Sequence, residues 1–396
     1  MMSQRLIVVY CGLLMSISAF SVDITLPAFP AMMAQFSTGF AQVQWTVTAY
    51  IFAAGCGQLV WGSVSDRYGR KITLAFGLSG LLVGQFLAVF APNIELLLLA
   101  RVLQGLGAAS AIVICRAILR DLFSGRELAR NMAMASAVFA VGPMLAPLLG
   151  AVIIDLVGWR YIFVGLACLT AVLIVMLAFF RETLAEPNVH ALRPARIRSN
   201  MAALFSHPQS CFFLIVSTLA MAFMLLILTG APAVYETEFG ITGLAFAGLF
   251  AIHGVGIICG QFINRRLINS MGVIGAVVVS SAVMAVMSGL YLALAVGDLL
   301  VVFLLPILFA IPNGAYLVFY SNATSLVLDP HHERAGFAAS LFGFVSQLGG
   351  ALLVSVLVIF GNDNAVGMAT LMFALAVVML AAVAVRYGRK QPVREV

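Results

Sequence analysis

The sequence predicts an all-α polytopic membrane protein, with twelve transmembrane helices in two pseudo-symmetric six-helix halves and both termini in the cytoplasm. Three observations predict it. The 396 residues are 63% hydrophobic and only 9% charged, with a mean hydropathy of +1.11; a soluble domain carries about 25% charged residues. Twelve stretches supply the roughly 20 apolar residues that a span needs. The basic residues then segregate to one side of those spans.

The spans fall near 6–30, 43–63, 72–91, 95–118, 131–154, 160–180, 211–232, 243–264, 272–296, 299–322, 335–359 and 364–386. The first follows a single Arg5 and looks at first like a secretion signal. Asp23, Pro27 and Pro30 come next with no small-x-small cleavage site, so it reads as a retained helix. The gap between spans six and seven holds Arg181, Glu182, Pro187, Arg193, Pro194, Arg196 and Arg198, and reads as a basic linker. It divides the chain into 1–182, a cytoplasmic linker at 183–208, and 209–396. With the N-terminus inside, eighteen of the 21 Lys and Arg fall in inner segments, including Arg67, Arg70, Lys71, Arg120, Arg126, Arg130, Arg265, Arg266, Arg334, Arg386, Arg389, Lys390 and Arg394. The outer loops keep Arg160 and carry Asp155, Glu236, Glu238, Asp298 and Asp363. Gly62, Asp66 and Arg67 recur 198 residues later as Gly260, Asn264 and Arg265. This echo suggests repeated halves with a binding site between them at mid-membrane.

Ionised groups at bilayer depth cost about 2.5–3.5 kcal/mol on insertion scales, so they mark interiors and wet cavities. Asp23 is the one acid well inside a span, and the expected proton carrier. A buried carboxyl gains a proton when desolvated and loses it beside a cation. A structural acid at a helix end is the other reading. Arg101 is either its coupling partner or a clamp on a neighbouring helix carbonyl. Gln104, three residues on, shares its face. His253 reads first as an interior histidine. Asn313, Tyr316 and Tyr320 sit at helical spacing and could line a pocket for amphipathic ligands, with Phe20, Tyr50, Gln104, Phe139, Phe223 and His253 as further lining candidates. Gly80/Gly84 and Gly256/Gly260 allow close helix approach. The six cysteines lie in apolar stretches without a CxxC pair and read as small buried side chains rather than metal ligands.

The sequence has no GxxxxGK[ST], HExxH or GxSxG pattern, so neither an ATP site nor an enzyme is expected. So few charges, with no long basic run among them, make nucleic-acid binding a poor reading. No cofactor and no metal are expected, and a proton gradient would be the energy source.

The turn Gly62-Ser63-Val64-Ser65-Asp66-Arg67-Tyr68-Gly69-Arg70-Lys71 resembles the signature loop of the major facilitator superfamily. Arg101-Val102-Leu103-Gln104-Gly105-Leu106-Gly107-Ala108-Ala109 is similar to that family's RxxQGxGAA motif. Gly142-Pro143-Met144-Leu145-Ala146-Pro147-Leu148-Leu149-Gly150-Ala151 resembles the GPxxGG motif of the drug/proton antiporter branch, with Ala146 and Ala151 at glycine positions. Three stretches narrow the likeness to the Bcr/CflA multidrug exporters: 21–28, Gly158-Trp159-Arg160-Tyr161-Ile162-Phe163, and Asn322-Ala323-Thr324. In the second-half turn Asn264 replaces an acid. The resemblance implies the twelve-helix major facilitator fold. It implies that Gly62, Asp66, Arg67, Gly69 and Arg70 form a cytoplasmic charge latch with Asp121 and the end of span eleven. Asp23 and Arg101 would couple protons to transport. Pro143, Pro147 and Gly150 would bend and pack span five.

The expectation is a multi-pass transporter of the bacterial inner membrane, monomeric and embedded in the lipid bilayer. It would export small hydrophobic or amphipathic drugs in exchange for protons by alternating access. Proton-coupled movement of a specific metabolite or sugar, and a transport-inactive receptor or scaffold, are the alternatives.

Overall fold

The protein is described here by a computed structural model covering residues 2–188, 194–358 and 364–387. Among these, all regular structure is helical. In chain order the helices are α1 (Gln4–Asp23), α2 (Phe29–Phe36), α3 (Phe40–Tyr68), α4 (Arg70–Val89), α5 (Ile94–Leu122), α6 (Gly125–Val157), α7 (Arg160–Ala178), α8 (Pro194–Ser206), α9 (Pro208–Phe239), α10 (Gly243–Val296), α11 (Leu305–Leu328), α12 (Ala335–Leu357) and α13 (Ala365–Tyr387). As one straight rod the 54 residues of α10 would reach about 81 Å, far beyond a hydrocarbon core of about 30 Å. The chain breaks at Gly272 (φ 71°, ψ 176°), giving limbs 243–271 and 273–296. Ten described stretches are long and apolar enough to cross a membrane. The second limb of α10 and helix α6 bring the total to the twelve expected, so Met2 and Tyr387, the first and last described residues, lie on one face, called here the terminal face.

Three features differ from the sequence reading. The first span is not continuous over 6–30: α1 stops at Asp23, a 3-10 turn follows at Leu26–Ala28, and α2 completes the crossing. Pro27 explains the stop, because it has no N–H for the carbonyl of Asp23 four residues back. The stretch 183–208 is not a plain linker, since it contains α8. Cys168 and Cys259 are exposed rather than buried; in a membrane the outward helix faces are apolar too, so hydrophobicity does not mark the inside. Of the charges used for orientation, Arg193, Asp363, Arg389, Lys390 and Arg394 lie outside the described residues.

Among the first six spans α5 is central, packing on α1, α3 and α4, while α6 lies along α1 and α7 along α4. The last six centre on α9, α10 and α11. Small residues set the close approaches. A methyl on Gly256 or Gly260 would run into the α11 backbone at Ala310 or Gly314, so these two helices touch backbone to backbone. The two sets meet where α3 lies on α12 and α6 on α10. Gln58 donates to Gln347 at 2.9 Å across the first seam, and Gln44 donates to Thr229 of α9 nearer the other face.

Candidate functional site

The break after Asp23 builds the first part of the site. Ile24 and Thr25 donate their N–H groups to Phe20 and Val22, which leaves the Ser21 carbonyl without its helical donor. Arg101 takes that carbonyl: Nη1 donates to it at 2.9 Å and Nε donates to the Thr46 carbonyl of α3 at 3.1 Å. Nη1 also reaches Gln104 Oε1 at 2.9 Å, and Gln104 in turn donates to the Gly84 carbonyl of α4. One guanidinium, 1% exposed, thereby ties α1, α3 and α5 together, with Gln104 extending the tie to α4. Its charge lies over the Tyr50 ring at 4.6 Å, and Nη2 is left with no partner.

Asp23 is both the last residue of α1 and 6% exposed, so the helix-end and buried-acid readings describe one arrangement. Its carboxyl makes no hydrogen bond or ion pair with a described residue. Arg101 is anchored two residues away yet does not pair with it. Tyr50 lies within electrostatic reach of both and donates its hydroxyl to the Ser18 carbonyl at 3.1 Å. Helix α6 closes this corner, because a methyl on Gly150 would strike the Ile24 carbonyl. Pro147 is buried within α6, which runs unbroken from Gly125 to Val157. Phe20 faces Gly142 of α6. The side chains of Phe139 and Pro143 lie outside those described.

The second part lies on the terminal face. Arg70, its side chain 7% exposed, donates to Asp66 at 2.6 Å, to Asp121 at 2.9 Å and to Ser65 at 2.8 Å. Burial works against its charge, but Asp121 and Asp66 outweigh that and raise its pKa. Gly69 makes the turn at φ 96°, and a methyl there would meet the Glu182 carboxylate. Gly62 sits between Ser340 of α12 and Val113 of α5. Arg67 stands apart from the ion pairs, with its guanidinium over the Tyr68 ring at 5.2 Å.

Sequence reasoning missed Glu182. It accepts from the backbone N–H of Arg70 (2.9 Å) and Lys71 (3.0 Å), capping the start of α4, and from Thr183 and Leu184. Burial disfavours its charge, yet the four donors prevail and hold the carboxyl below the usual range. Thr183 donates to Asp121 at 3.1 Å, Asn188 N–H to the Asp66 carbonyl at 2.8 Å, and Lys71 Nζ to the carbonyls of Ala178 and Phe180. The chain leaving α7 is thus strapped onto the turn between α3 and α4. An acid just past a span was the available signal; its target lies 112 residues back and is backbone.

In the last six spans Phe223 and Asn313 are fully buried and His253 is 4% exposed. His253 stacks on Phe250 at 4.8 Å and adjoins Asn313, though none of their polar atoms reaches hydrogen-bond geometry. Tyr316 and Tyr320 lie 5.5 Å apart; Tyr316 donates to Met221 Sδ and Tyr320 bonds Ser346 at 2.7 Å. The structure therefore gathers Asp23, Arg101, Tyr50 and Gln104 into one patch, and places His253 and Asn313 in another.

Residues 11–354 match the family model of the Major Facilitator Superfamily. The chain belongs to that superfamily. It is 30% identical to an uncharacterized MFS-type transporter, YdgK, of Bacillus subtilis over 93% of this chain and 92% of that one. It is 28% identical to a bicyclomycin resistance protein homolog of Haemophilus influenzae over 96% of each. It is also 25% identical to the multidrug resistance protein MdtL of Escherichia coli over 86% and 85%. Among solved structures the nucleoside transporter NupG superposes with a TM-score of 0.73 at 14% identity, covering 97% of this chain and all of that one. The human organic anion transporter TETRAN gives 0.69 at 18%, covering 95% and 98%. This major facilitator chain is a multi-pass membrane transporter and not an enzyme.

Proposed function

We propose that the protein exports hydrophobic or amphipathic drugs across the bacterial inner membrane in exchange for protons, as a monomer. Residues 1–182 and 209–396 would rock about the strap and linker at 183–208, with the terminal face in the cytoplasm. The observation that carries the reading is the buried Asp23 carboxyl, which has no counter-charge among the described residues. A carboxyl removed from water is much less costly as the neutral acid than as the anion. Rocking that admits water to this corner would release the proton; closing it again would require one. Arg101 holds the end of α1 in place while this happens. A drug shifts such a cycle only by binding the two states unequally. The names of the bicyclomycin-resistance and MdtL relatives support drugs as the cargo.

The test is Asp23→Asn, with a drug-susceptibility panel in an efflux-deficient host and an uncoupler control, followed by exchange in liposomes. The substitution is expected to leave the fold intact and abolish proton-driven drug movement, by at least about a hundredfold. Unaltered proton/drug exchange by the purified variant would refute the assignment. Accumulation of drug by overexpressing cells would reverse the direction.

A further inference from the structure

Arg116 has no part in the proton site or the latch. It lies six residues before the end of α5 at Leu122, about 9 Å inside that end by helical rise. A guanidinium at such depth normally pairs or reaches out to the interface. Arg70, Arg101 and Arg160 all follow that rule by bonding protein oxygens. Arg116 bonds none among the described residues. Its side chain is exposed, yet protein surrounds it, and the groups within electrostatic reach are Tyr320, Arg120 and Cys115. Tyr320 belongs to α11, in the other set of six spans. An exposed group that also lies within electrostatic reach of Tyr320, in the other set of spans, fits a position between the two sets better than one on the lipid surface.

The surroundings of that space have a definite character. Among the described residues no carboxylate stands within electrostatic reach of Arg116. Two acids on this face, Asp66 and Asp121, are already engaged by Arg70. Arg120, one turn further along α5, adds a second positive charge toward the terminal face. Opposite stands an aromatic wall: Tyr320 meets Tyr316 at 5.5 Å and Phe342 at 5.1 Å, and its hydroxyl is occupied by Ser346. A cation without a protein partner facing an apolar wall is complementary to a molecule with an anionic head and an aromatic body.

We propose that Arg116 is the anion-receiving group of the space between the two halves, and that the cargo class is amphipathic organic anions, with a carboxylate, sulfonate or phosphonate on Arg116 and an apolar body against Tyr320, which the buried Tyr316 and Phe342 back. This rests on the transport reading above and narrows its substrate class.

The test uses two xanthene dyes of one ring core, anionic fluorescein and a cationic esterified rhodamine, with protein in the uncharged detergent dodecyl maltoside and fluorescence anisotropy as the readout. Fluorescein is expected to bind at least about tenfold tighter than the cation. Arg116→Gln should weaken fluorescein by about tenfold to a hundredfold, the worth of a charge-assisted hydrogen bond, and leave the cation within about threefold. Arg116→Lys should restore most of the loss. Salt titration of the unaltered protein needs no variant: the fluorescein Kd must rise with ionic strength while that of the cation does not. A flat salt response, no preference for the anion, or full fluorescein binding by Arg116→Gln would overturn the proposal. Displacement of fluorescein by phosphatidylglycerol would assign the anion to a lipid headgroup and overturn the cargo class. In liposomes the two readings separate. Proton-driven movement of the cation without preference for the anion leaves drug export standing and removes this inference. Arg116-dependent fluorescein binding without proton-driven movement does the reverse.

Discussion

The turn between α3 and α4 and its counterpart within α10 occupy equivalent places in the two halves, yet they are held by different chemistry. In the first, Arg70 bridges Asp66 and Asp121, and Glu182 caps the next helix. In the second, Asn264 stands where Asp66 does and accepts from Asn322 at 2.7 Å, both side chains buried. Both ion pairs found among the described residues belong to Arg70. A charged cluster at a water-facing edge can exchange protein partners for water with little net change. A buried amide pair cannot, because opening it leaves two polar groups unmatched in an apolar setting. On the proposed cycle the moving contact would belong to the first half and the fixed framework to the second.

The sharpest way to break this comparison is Arg70→Ala. It leaves Asp66 and Asp121 facing each other without a cation, on a site that is partly water-exposed. The expected loss is about 2–3 kcal/mol of the closed arrangement, read as a fall in drug/proton exchange of at least about tenfold. Drug binding to the detergent-solubilised protein should persist within about threefold. Loss of binding and exchange together would mean that the turn supports the fold rather than the cycle. Asp66→Asn, which keeps the Asp121 pair, should cost less.

The matching change in the second half is Asn322→Leu. It strands the Asn264 amide, at about 1–3 kcal/mol, and should lower Tm by a few degrees. Exchange per folded molecule should stay within about twofold. A large loss of exchange with an unchanged Tm would make the second turn a working gate and remove the asymmetry.

What could be read beforehand follows the range of each interaction. The twelve spans are a composition signal, so most fell into place; the first was misjudged at its Pro27 break, and the tenth, expected at 299–322, runs from Leu305 to Leu328. Arg101 with Gln104, and Arg70 with Asp66, are neighbours on one helix or one turn, so spacing revealed them. Asp121 was reachable through the family likeness. Glu182 was not, because its partners are main-chain N–H groups brought near by packing. Arg116 was passed over because a base close to a helix end resembles an interfacial one; only the facing Tyr320 separates a cavity from a lipid surface.

The smallest expected effect tests whether the strap belongs to the latch. Glu182 is held charged by four N–H donors, which places its pKa below that of an unbonded glutamate. A depressed carboxyl contributes stability that is fully present above the unbonded pKa and is lost as pH falls through the depressed one. The docked strap should therefore be indifferent to pH near neutrality and loosen only in the acid range beneath the ordinary glutamate value of about 4.3. Glu182→Gln retains one carbonyl acceptor but removes the charge at the start of α4, a change of about 0.3–1 kcal/mol at an exposed site. Hydrogen exchange at the Arg70 and Lys71 amides is the direct readout, with an acceleration of about two- to fivefold expected at neutral pH in the variant. Exchange of the Asn264 region should not change, since no strap among the described residues reaches it. Equal acceleration in both turns would show a general loosening of the bundle, and no acceleration at either would detach Glu182 from the latch.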